Sequence, residues 1–126
     1  MRIEHIALWT LDLERLSRFY ETYFEAFSGS VYVNESKGFR SIFLSFKNGP
    51  RLEIMTLPGV HAGISEYRVG YAHLAFSVGS KEKVDGLTRK LSDDGFQVVS
   101  DPRKTGDGYY ESVILDPDGN QIEITV

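Results

Sequence analysis

The sequence predicts an α+β fold, with one domain over residues 1–126 that contains two tandem βαβββ modules. Three observations predict it. The order of strand and helix patterns in about residues 1–57 recurs in about residues 71–126, after a loop at 58–70. The period of this repeat is near 70 residues, which indicates a duplicated module and not a solenoid. The strands are short and separated by turn residues, which favours a largely antiparallel sheet with the helices on its outer face.

The first module begins with a predicted strand at 3–9, where side-chain types alternate. Asp12 is placed to cap a helix, and an apolar stripe with steps of three and four follows it. We expect the helix to end at Gly29. The stripe consists of Leu13, Leu16, Tyr20, Tyr23, Phe24 and Phe27. Turn residues then separate three short predicted strands, at 31–35, 39–46 and 51–57.

The second module repeats this order after the Pro- and Gly-containing loop. A strand is predicted to begin at Tyr71, and a helix is predicted between Ser80 as its N-cap and Gly95 as its end. Asp-Pro-Asp-Gly-Asn at 116–120 predicts a tight turn before the last strand. The three remaining strands are predicted at 96–100, 109–115 and 121–126.

The composition excludes several classes of protein. Hydrophobic residues make up 41% and charged residues 25% of the 126, as in ordinary globular proteins, and no apolar run is long enough to span a membrane. The absence of cysteine excludes disulfides, thiolate metal sites and a cysteine nucleophile. A net charge of −4 without a basic stretch argues against a nucleic-acid partner. Glu4 and His5 interrupt the region where a signal peptide would be apolar, so we expect a cytoplasmic protein.

Histidine and glutamate, two residue types that can bind metal ions, occupy equivalent places in the two modules. His5 and His73 lie in the first strand of each module, each two residues before an alanine. Glu53 and Glu123 lie in the last strand of each module, each between two apolar residues. The His-to-Glu separations are 48 and 50 residues. A lone histidine in a strand is most often structural, and a lone glutamate is most often solvated, but their shared positions favour a common function.

Strand alternation predicts where these four side chains point. Their apolar neighbours would face the helices, so all four would face the opposite, concave side of the sheet. Imidazole and carboxylate ligands together suit a transition metal such as Ni or Zn, and Co or Mn are also compatible. Four protein ligands on an octahedral ion leave two positions open, which is typical of a catalytic metal. The four residues therefore predict a metal site.

Other residues receive weaker assignments. His61 has no counterpart in the second module, so we expect an exposed loop residue or a residue at the rim of a pocket. Arg40 and Arg51 are candidates to bind an anionic group, although exposed arginines are common. The segment 101–108 is either a lid or, more simply, a solvated loop. Side chains that alternation places beside the four ligands are candidates for a substrate wall, the core or a dimer contact: Trp9, Phe43, Met55, Tyr71, Tyr109 and Glu111.

The duplicated βαβββ pattern with His5, Glu53, His73 and Glu123 resembles the vicinal oxygen chelate superfamily, which includes glyoxalases, bleomycin resistance proteins and extradiol dioxygenases. The resemblance covers nearly the whole chain, and the segment 115–124 is a strong superfamily signature. It implies a curved sheet that forms a cup around a divalent metal, and a homodimer. The ligand order His, Glu, His, Glu is most similar to that of the glyoxalase I, or lactoylglutathione lyase, type.

The resemblance implies a metal-dependent lyase or isomerase that acts on a small 2-oxoaldehyde adduct through a metal-stabilised enediolate. Glu123 or Glu53 would transfer the proton after loosening from the metal. Two positions depart from the glyoxalase I pattern: Trp9 stands where an arginine is frequent, and Leu57 where an asparagine is frequent. Because those family residues help bind glutathione, the thiol cosubstrate stays open. The alternative function is a non-enzymatic binding or resistance protein for a small drug or metabolite.

Overall fold

A computed structural model describes residues 1–63, 70–106 and 108–126 of the protein. The chain divides into two compact units, Met1–Gly63 and Ile64–Val126, and the division falls inside the predicted loop at 58–70. Part of that loop and one residue of the 101–108 segment lie outside the described residues. Each unit contains one α-helix and one sheet, so the α+β class and the repeated βαβββ order are confirmed, with one additional, unpredicted short strand at Phe27–Ser28 in the first unit.

The first unit has a five-stranded sheet with the order β1-β5-β4-β2, and β3 pairs with β4 beside this path. Strands β1 and β5 are parallel, whereas the other pairs are antiparallel. A 3₁₀ helix at Glu35–Lys37 occupies one of the predicted turns. The elements are β1 (His5–Trp9), α1 (Leu13–Phe24), β2 (Phe27–Ser28), β3 (Tyr32–Asn34), β4 (Phe39–Ser45) and β5 (Arg51–Thr56).

Helix α1 begins as predicted and ends earlier than predicted. The Asp12 side chain accepts a hydrogen bond from the backbone N–H of Arg15 at 2.9 Å. The helix ends at Phe24 because Glu25 adopts a left-handed conformation with φ of 54°. The predicted end at Gly29 is therefore wrong. Phe27 leaves the helical stripe because it pairs with Ser45 in the sheet, where its side chain is exposed.

The second unit has a four-stranded sheet with the order β6-β9-β8-β7. Strands β6 and β9 are parallel, and the two other pairs are antiparallel. Strand β7 continues four residues beyond the predicted 96–100, with register irregularities along its pairing with β8. Within the described part of the chain, no helix has both the length and the apolar character needed to cross a membrane. The elements are β6 (His73–Ser77), α2 (Lys81–Asp93), β7 (Val98–Lys104), β8 (Tyr110–Leu115) and β9 (Gln121–Thr125).

Each unit buries the side chains between its helix and one face of its sheet. The second core also contains a hydrogen-bonded polar pair, because the hydroxyl groups of Thr88 and Ser112 lie 2.6 Å apart. In the first unit the buried side chains include Leu13, Leu16, Tyr20, Leu44, Leu52 and Ile54. In the second unit they include Val84, Leu91, Ile114, Ile122 and Ile124. The opposite face of each sheet is thereby left free of its own helix.

The turn before β9 is held by one buried carboxylate. Asp116 Oδ1 accepts hydrogen bonds from the backbone N–H groups of Asp118 and Asn120, both at 2.9 Å. Asp116 Oδ2 accepts a third from Asn120 Nδ2, also at 2.9 Å. The predicted turn at 116–120 is confirmed, and it sets the point at which β9, the strand that carries Glu123, begins.

Replacing Asp116 with alanine is expected to lower the free energy of unfolding by about 1–3 kcal/mol, because it leaves three part-buried donors without their acceptors. Thermal and urea denaturation measure the change. Asp101→Ala, at an exposed position on β7, is the control and is expected to stay within about 0.5 kcal/mol of wild type. Equal stability of Asp116→Ala and wild type would show that the turn does not depend on this carboxylate.

Candidate functional site

The four predicted ligands occupy the same positions in the two sheets. His5 and Glu53 lie on the parallel pair β1 and β5, where Ala7 is directly opposite Glu53. His73 and Glu123 lie on the parallel pair β6 and β9, where Ala75 is directly opposite Glu123. Each histidine therefore precedes by two residues the alanine that faces its glutamate. The structure brings His5 close to Glu53 in the first unit and His73 close to Glu123 in the second, as two equivalent His–Glu pairs.

Both pairs lie on the sheet face that the unit's own helix does not cover. In the first unit Leu52 and Ile54 are buried on the helix side, so Glu53 points to the other face. In the second unit Ile122 and Ile124 are buried in the same way, so Glu123 points away from α2. The prediction from strand alternation is confirmed within each unit.

In the first pair, His5 Nε2 lies 3.9 Å from Glu53 Oε2. The Glu53 side chain is only 17% exposed, whereas the histidine is more open. The His5 ring meets the ring of Phe43 edge-on, with 5.4 Å between the centroids, and Phe43 is the residue opposite Glu53 on β4. An aromatic neighbour thus shields one side of the pair from solvent.

Sequence reasoning missed Glu4, which holds the imidazole from its other nitrogen. Glu4 Oε2 lies 2.5 Å from His5 Nδ1. Glu4 Oε1 accepts a hydrogen bond from Arg51 Nε at 3.0 Å, and the Arg51 guanidinium lies over the Phe43 ring. The hydrogen bond to His5, followed by that to Arg51, lowers the pKa of Glu4. Strand alternation would place the Glu4 side chain on the other face of the sheet from His5. Because β1 begins only at His5, the alternation rule does not apply to Glu4.

In the second pair, His73 Nε2 lies 3.2 Å from Glu123 Oε2. The Glu123 side chain is 21% exposed, close to the value for Glu53. Ala72 stands where Glu4 stands in the first copy, so no adjacent carboxylate is available to His73 from this position. The two pairs therefore consist of the same residue types, and they differ in the residue that precedes the histidine.

The donor set fits a divalent transition metal. Neutral imidazole and carboxylate are both ligands for Ni, Zn, Co and Mn, and two glutamates offset the charge of a divalent ion. Ligand atoms bound at about 2.0–2.2 Å to adjacent positions of one ion lie about 3 Å apart. The 3.2 Å separation in the second pair matches this spacing, and the 3.9 Å separation in the first is wider. Among residues 1–63, 70–106 and 108–126, no group of three or more His, Asp or Glu side chains is arranged to hold a metal ion.

Several other candidates lie elsewhere. Arg40 does not belong to this face: its guanidinium lies 2.7 Å from the carboxylate of Glu14 on α1, and this hydrogen bond lowers the pKa of Glu14. The reason is that Arg40 and Ile42 share a strand face, which α1 covers. His61 is an exposed residue after β5, with Nδ1 3.2 Å from the Gly59 carbonyl oxygen.

Other members of the candidate wall are distributed over both units. Met55 faces the His5–Glu53 side, because it is directly opposite Trp9. Glu111 faces the His73–Glu123 side, and its Oε1 lies 3.7 Å from Arg103 Nη1. Tyr71 and Tyr109 are exposed and precede β6 and β8, respectively.

The chain matches the model of the Glyoxalase/Bleomycin resistance protein/Dioxygenase superfamily over residues 2–124. It is 33% identical to the uncharacterized protein YqjT of Bacillus subtilis (strain 168), in an alignment that covers 97% of this chain and 96% of YqjT. A possible glyoxalase from Bacillus cereus has a similar structure, with a TM-score of 0.76, 26% identity and coverage of 100% of this chain and 99% of that one. Glyoxalase I of Leishmania major, described as trypanothione-dependent, has a TM-score of 0.78 at 20% identity, with 99% and 86% coverage, which indicates a shared fold.

The Glu4 contact predicts different proton positions on the two histidines. Since an ionised carboxylate only accepts hydrogen bonds, His5 must carry a proton on Nδ1. In metal-free protein, ¹⁵N NMR of the ring nitrogens is expected to show an Nδ1–H on His5, and Glu4→Ala is expected to give a mixture of tautomers. The His73 signals are the internal control and should not change. A wild-type His5 that lacks a proton on Nδ1 would contradict this account.

Proposed function

We propose that this chain, which belongs to the Glyoxalase/Bleomycin resistance protein/Dioxygenase superfamily, is a metal-dependent lyase or isomerase of the glyoxalase I type. Its substrate would be the adduct of a small 2-oxoaldehyde with a thiol. The observation that carries the proposal is the equivalence of the two His–Glu pairs, which a protein that only binds an apolar compound does not need. Fold alone would not distinguish these functions.

We assign His5, Glu53, His73 and Glu123 as the residues that hold the metal, with Ni or Zn as the expected ion and Co or Mn as compatible ones. When bound, the ion supplies a Lewis acid that stabilises negative charge on the substrate oxygens, worth several kcal/mol at the transition state. One chain, or two copies in a homodimer, would supply the same four side chains. The Glu4 contact supports this role for His5, because a hydrogen bond at Nδ1 leaves Nε2 as the ligand atom.

We assign proton transfer to a glutamate, with Glu123 tested first and Glu53 second. The reaction moves the C–H proton to the adjacent carbon and the hydroxyl proton from one oxygen to the other, so a base that accepts and returns each of these protons in turn balances the step. A carboxylate oxygen of Glu123 would accept the proton from the carbon beside the carbonyl and return it to the neighbouring carbon. The partial burial of both glutamates supports this role, because few water molecules can compete for the proton.

The identity of the thiol is a separate matter. Trp9 has one uncharged indole N–H donor and Leu57 has no polar side-chain group, so neither can replace the charge and multiple hydrogen bonds of an arginine or the amide of an asparagine. A peptide thiol would need such contacts from elsewhere. We therefore do not tie the proposal to glutathione, and the assay must include several thiols.

The proposal predicts metal-dependent turnover of methylglyoxal in the presence of a suitable thiol. The assay monitors the loss of the hemithioacetal and the formation of the thioester. Removal of the metal with a chelator should abolish turnover, and Ni or Zn should restore it. Glu123→Gln should lower turnover by about 100-fold or more, the usual range for loss of a general base. Elemental analysis shows whether this variant keeps its metal, and the control Glu82→Gln changes an exposed carboxylate at the start of α2.

Three outcomes would contradict the proposal. Turnover that survives removal of the metal would exclude metal-dependent chemistry. Full activity in both Glu123→Gln and Glu53→Gln would exclude a glutamate as the base. Binding of small molecules without metal, and without turnover of any adduct, would assign the protein to the non-enzymatic alternative.

A further inference from the structure

Three aromatic rings form a continuous strip on the same face of the first unit as His5 and Glu53. The rings of Trp9 and Phe39 meet edge-on with 6.4 Å between their centroids. The rings of Tyr32 and Phe39 are tilted, with 6.1 Å between their centroids. Trp9 and Tyr32 are nevertheless 51% and 57% exposed. Exposed apolar side chains in contact with one another mark a binding surface more often than isolated ones do.

The strand register places this aromatic strip next to the His–Glu pair. Trp9 is opposite Met55, Met55 is opposite Ser41, and Ser41 is opposite Tyr32, which makes one row across four strands. Glu53 precedes Met55 by two residues and therefore lies in the adjacent row on the same face. Two residues of a strand span about 7 Å. A ligand whose polar atoms contact Glu53 therefore has to extend by only the length of one aromatic ring to contact the strip.

The second unit provides an internal comparison, because the duplicated fold has the same row there. Ser77 is opposite Thr125, Thr125 is opposite Glu111, and Glu111 is opposite Arg103. This row is polar throughout, and it contains the ion pair between Arg103 and Glu111. The βαβββ module therefore folds without an aromatic strip, so folding alone does not require the rings in the first copy.

The chemistry of the strip favours a flat apolar group. Its row contains an indole, a thioether, a hydroxyl group and a phenol, and no charged side chain, because Arg40 points to the helix side. Aromatic faces and edges contact a flat ring favourably, beyond the effect of the buried area alone. Small-molecule sites typically combine such an apolar wall with a few polar groups that fix the ligand's orientation.

We propose that the aromatic strip of Trp9, Phe39 and Tyr32 binds an aryl group on the carbon next to the reacting centre, so that the substrates are 2-oxo or 2-hydroxy carbonyl compounds with an aromatic substituent. The inference rests on the proposed function for the polar end of the ligand. It goes beyond that function by selecting aryl over alkyl compounds. The strip is the surface by which this chain distinguishes the two.

The test uses Trp9 as a reporter, because it is the chain's single tryptophan. Its fluorescence is followed while the whole protein is titrated with mandelate or with lactate, which differ only by a phenyl group in place of a methyl group. We expect a saturable change with both, and at least about tenfold tighter binding of mandelate. The preference should hold in protein supplied with Ni and in protein kept metal-free with a chelator.

Variants of the strip sharpen the test without removing the reporter. Tyr32→Ala is expected to reduce the preference for mandelate by about tenfold, and Tyr32→Phe is expected to keep it, because the ring and not the hydroxyl makes the contact. Phe27→Ala is the matched control: it removes an exposed aromatic ring from the same sheet, on β2 and outside the strip. The control should bind both acids as wild type does.

Equal affinity for mandelate and lactate would overturn the inference, as would a Phe27→Ala effect equal to that of Tyr32→Ala. Sedimentation provides a third test. If Tyr32→Ala lowers the mass of the protein in solution and leaves the mandelate preference unchanged, the strip is a contact between copies of the chain, and the inference is wrong. Failure of the proposed function is distinguishable. Absence of turnover with any adduct would exclude the lyase, whereas the mandelate preference is read from binding alone.

Discussion

The parallel pairing of the first and last strands of each module determines how each sheet is built and where its His–Glu pair lies. It places β1 beside β5 and β6 beside β9, so residues about 50 positions apart in the sequence become neighbours. Parallel neighbours require a long connection between them, and the helix and two or more antiparallel strands of each module provide it. Each helix then covers one face of its sheet and leaves the other for the His–Glu pair.

Strand alternation places the core side chains and the His–Glu pair on opposite faces of the sheet in each unit. Leu52 and Ile54 on one side of Glu53's strand, and Ile122 and Ile124 in the second copy, bury their side chains under the helix. The glutamate between them faces the other way at no cost to the core. The two copies differ in what surrounds the pair: the first has Glu4 beside its histidine and the aromatic strip beside its glutamate.

The parts of the molecule that occur in both modules could be predicted from the sequence. The strands other than β2, the helix starts and the two His–Glu pairs could be predicted because each has a counterpart about 70 residues away in the sequence. The end of α1 could not, because Phe27 continues the helical periodicity and only pairing with Ser45 removes it. Glu4 was missed because it precedes the strand, and the pairing of Arg40 with Glu14 was missed because the facing of β4 depends on its register with β5. The aromatic strip depends on pairing across four strands, which no local pattern reveals.

We propose that both His–Glu pairs bind one metal ion, and the stoichiometry of metal binding distinguishes this arrangement from two separate sites. Titration of metal-free protein with Co, followed by absorption spectroscopy, is expected to saturate at one ion per chain with a single spectrum. His5→Ala and His73→Ala should each weaken binding by at least about 100-fold, and His61→Ala should not. Saturation at two ions per chain, or loss of only half of the sites in each variant, would show that the pairs act separately and would contradict the account.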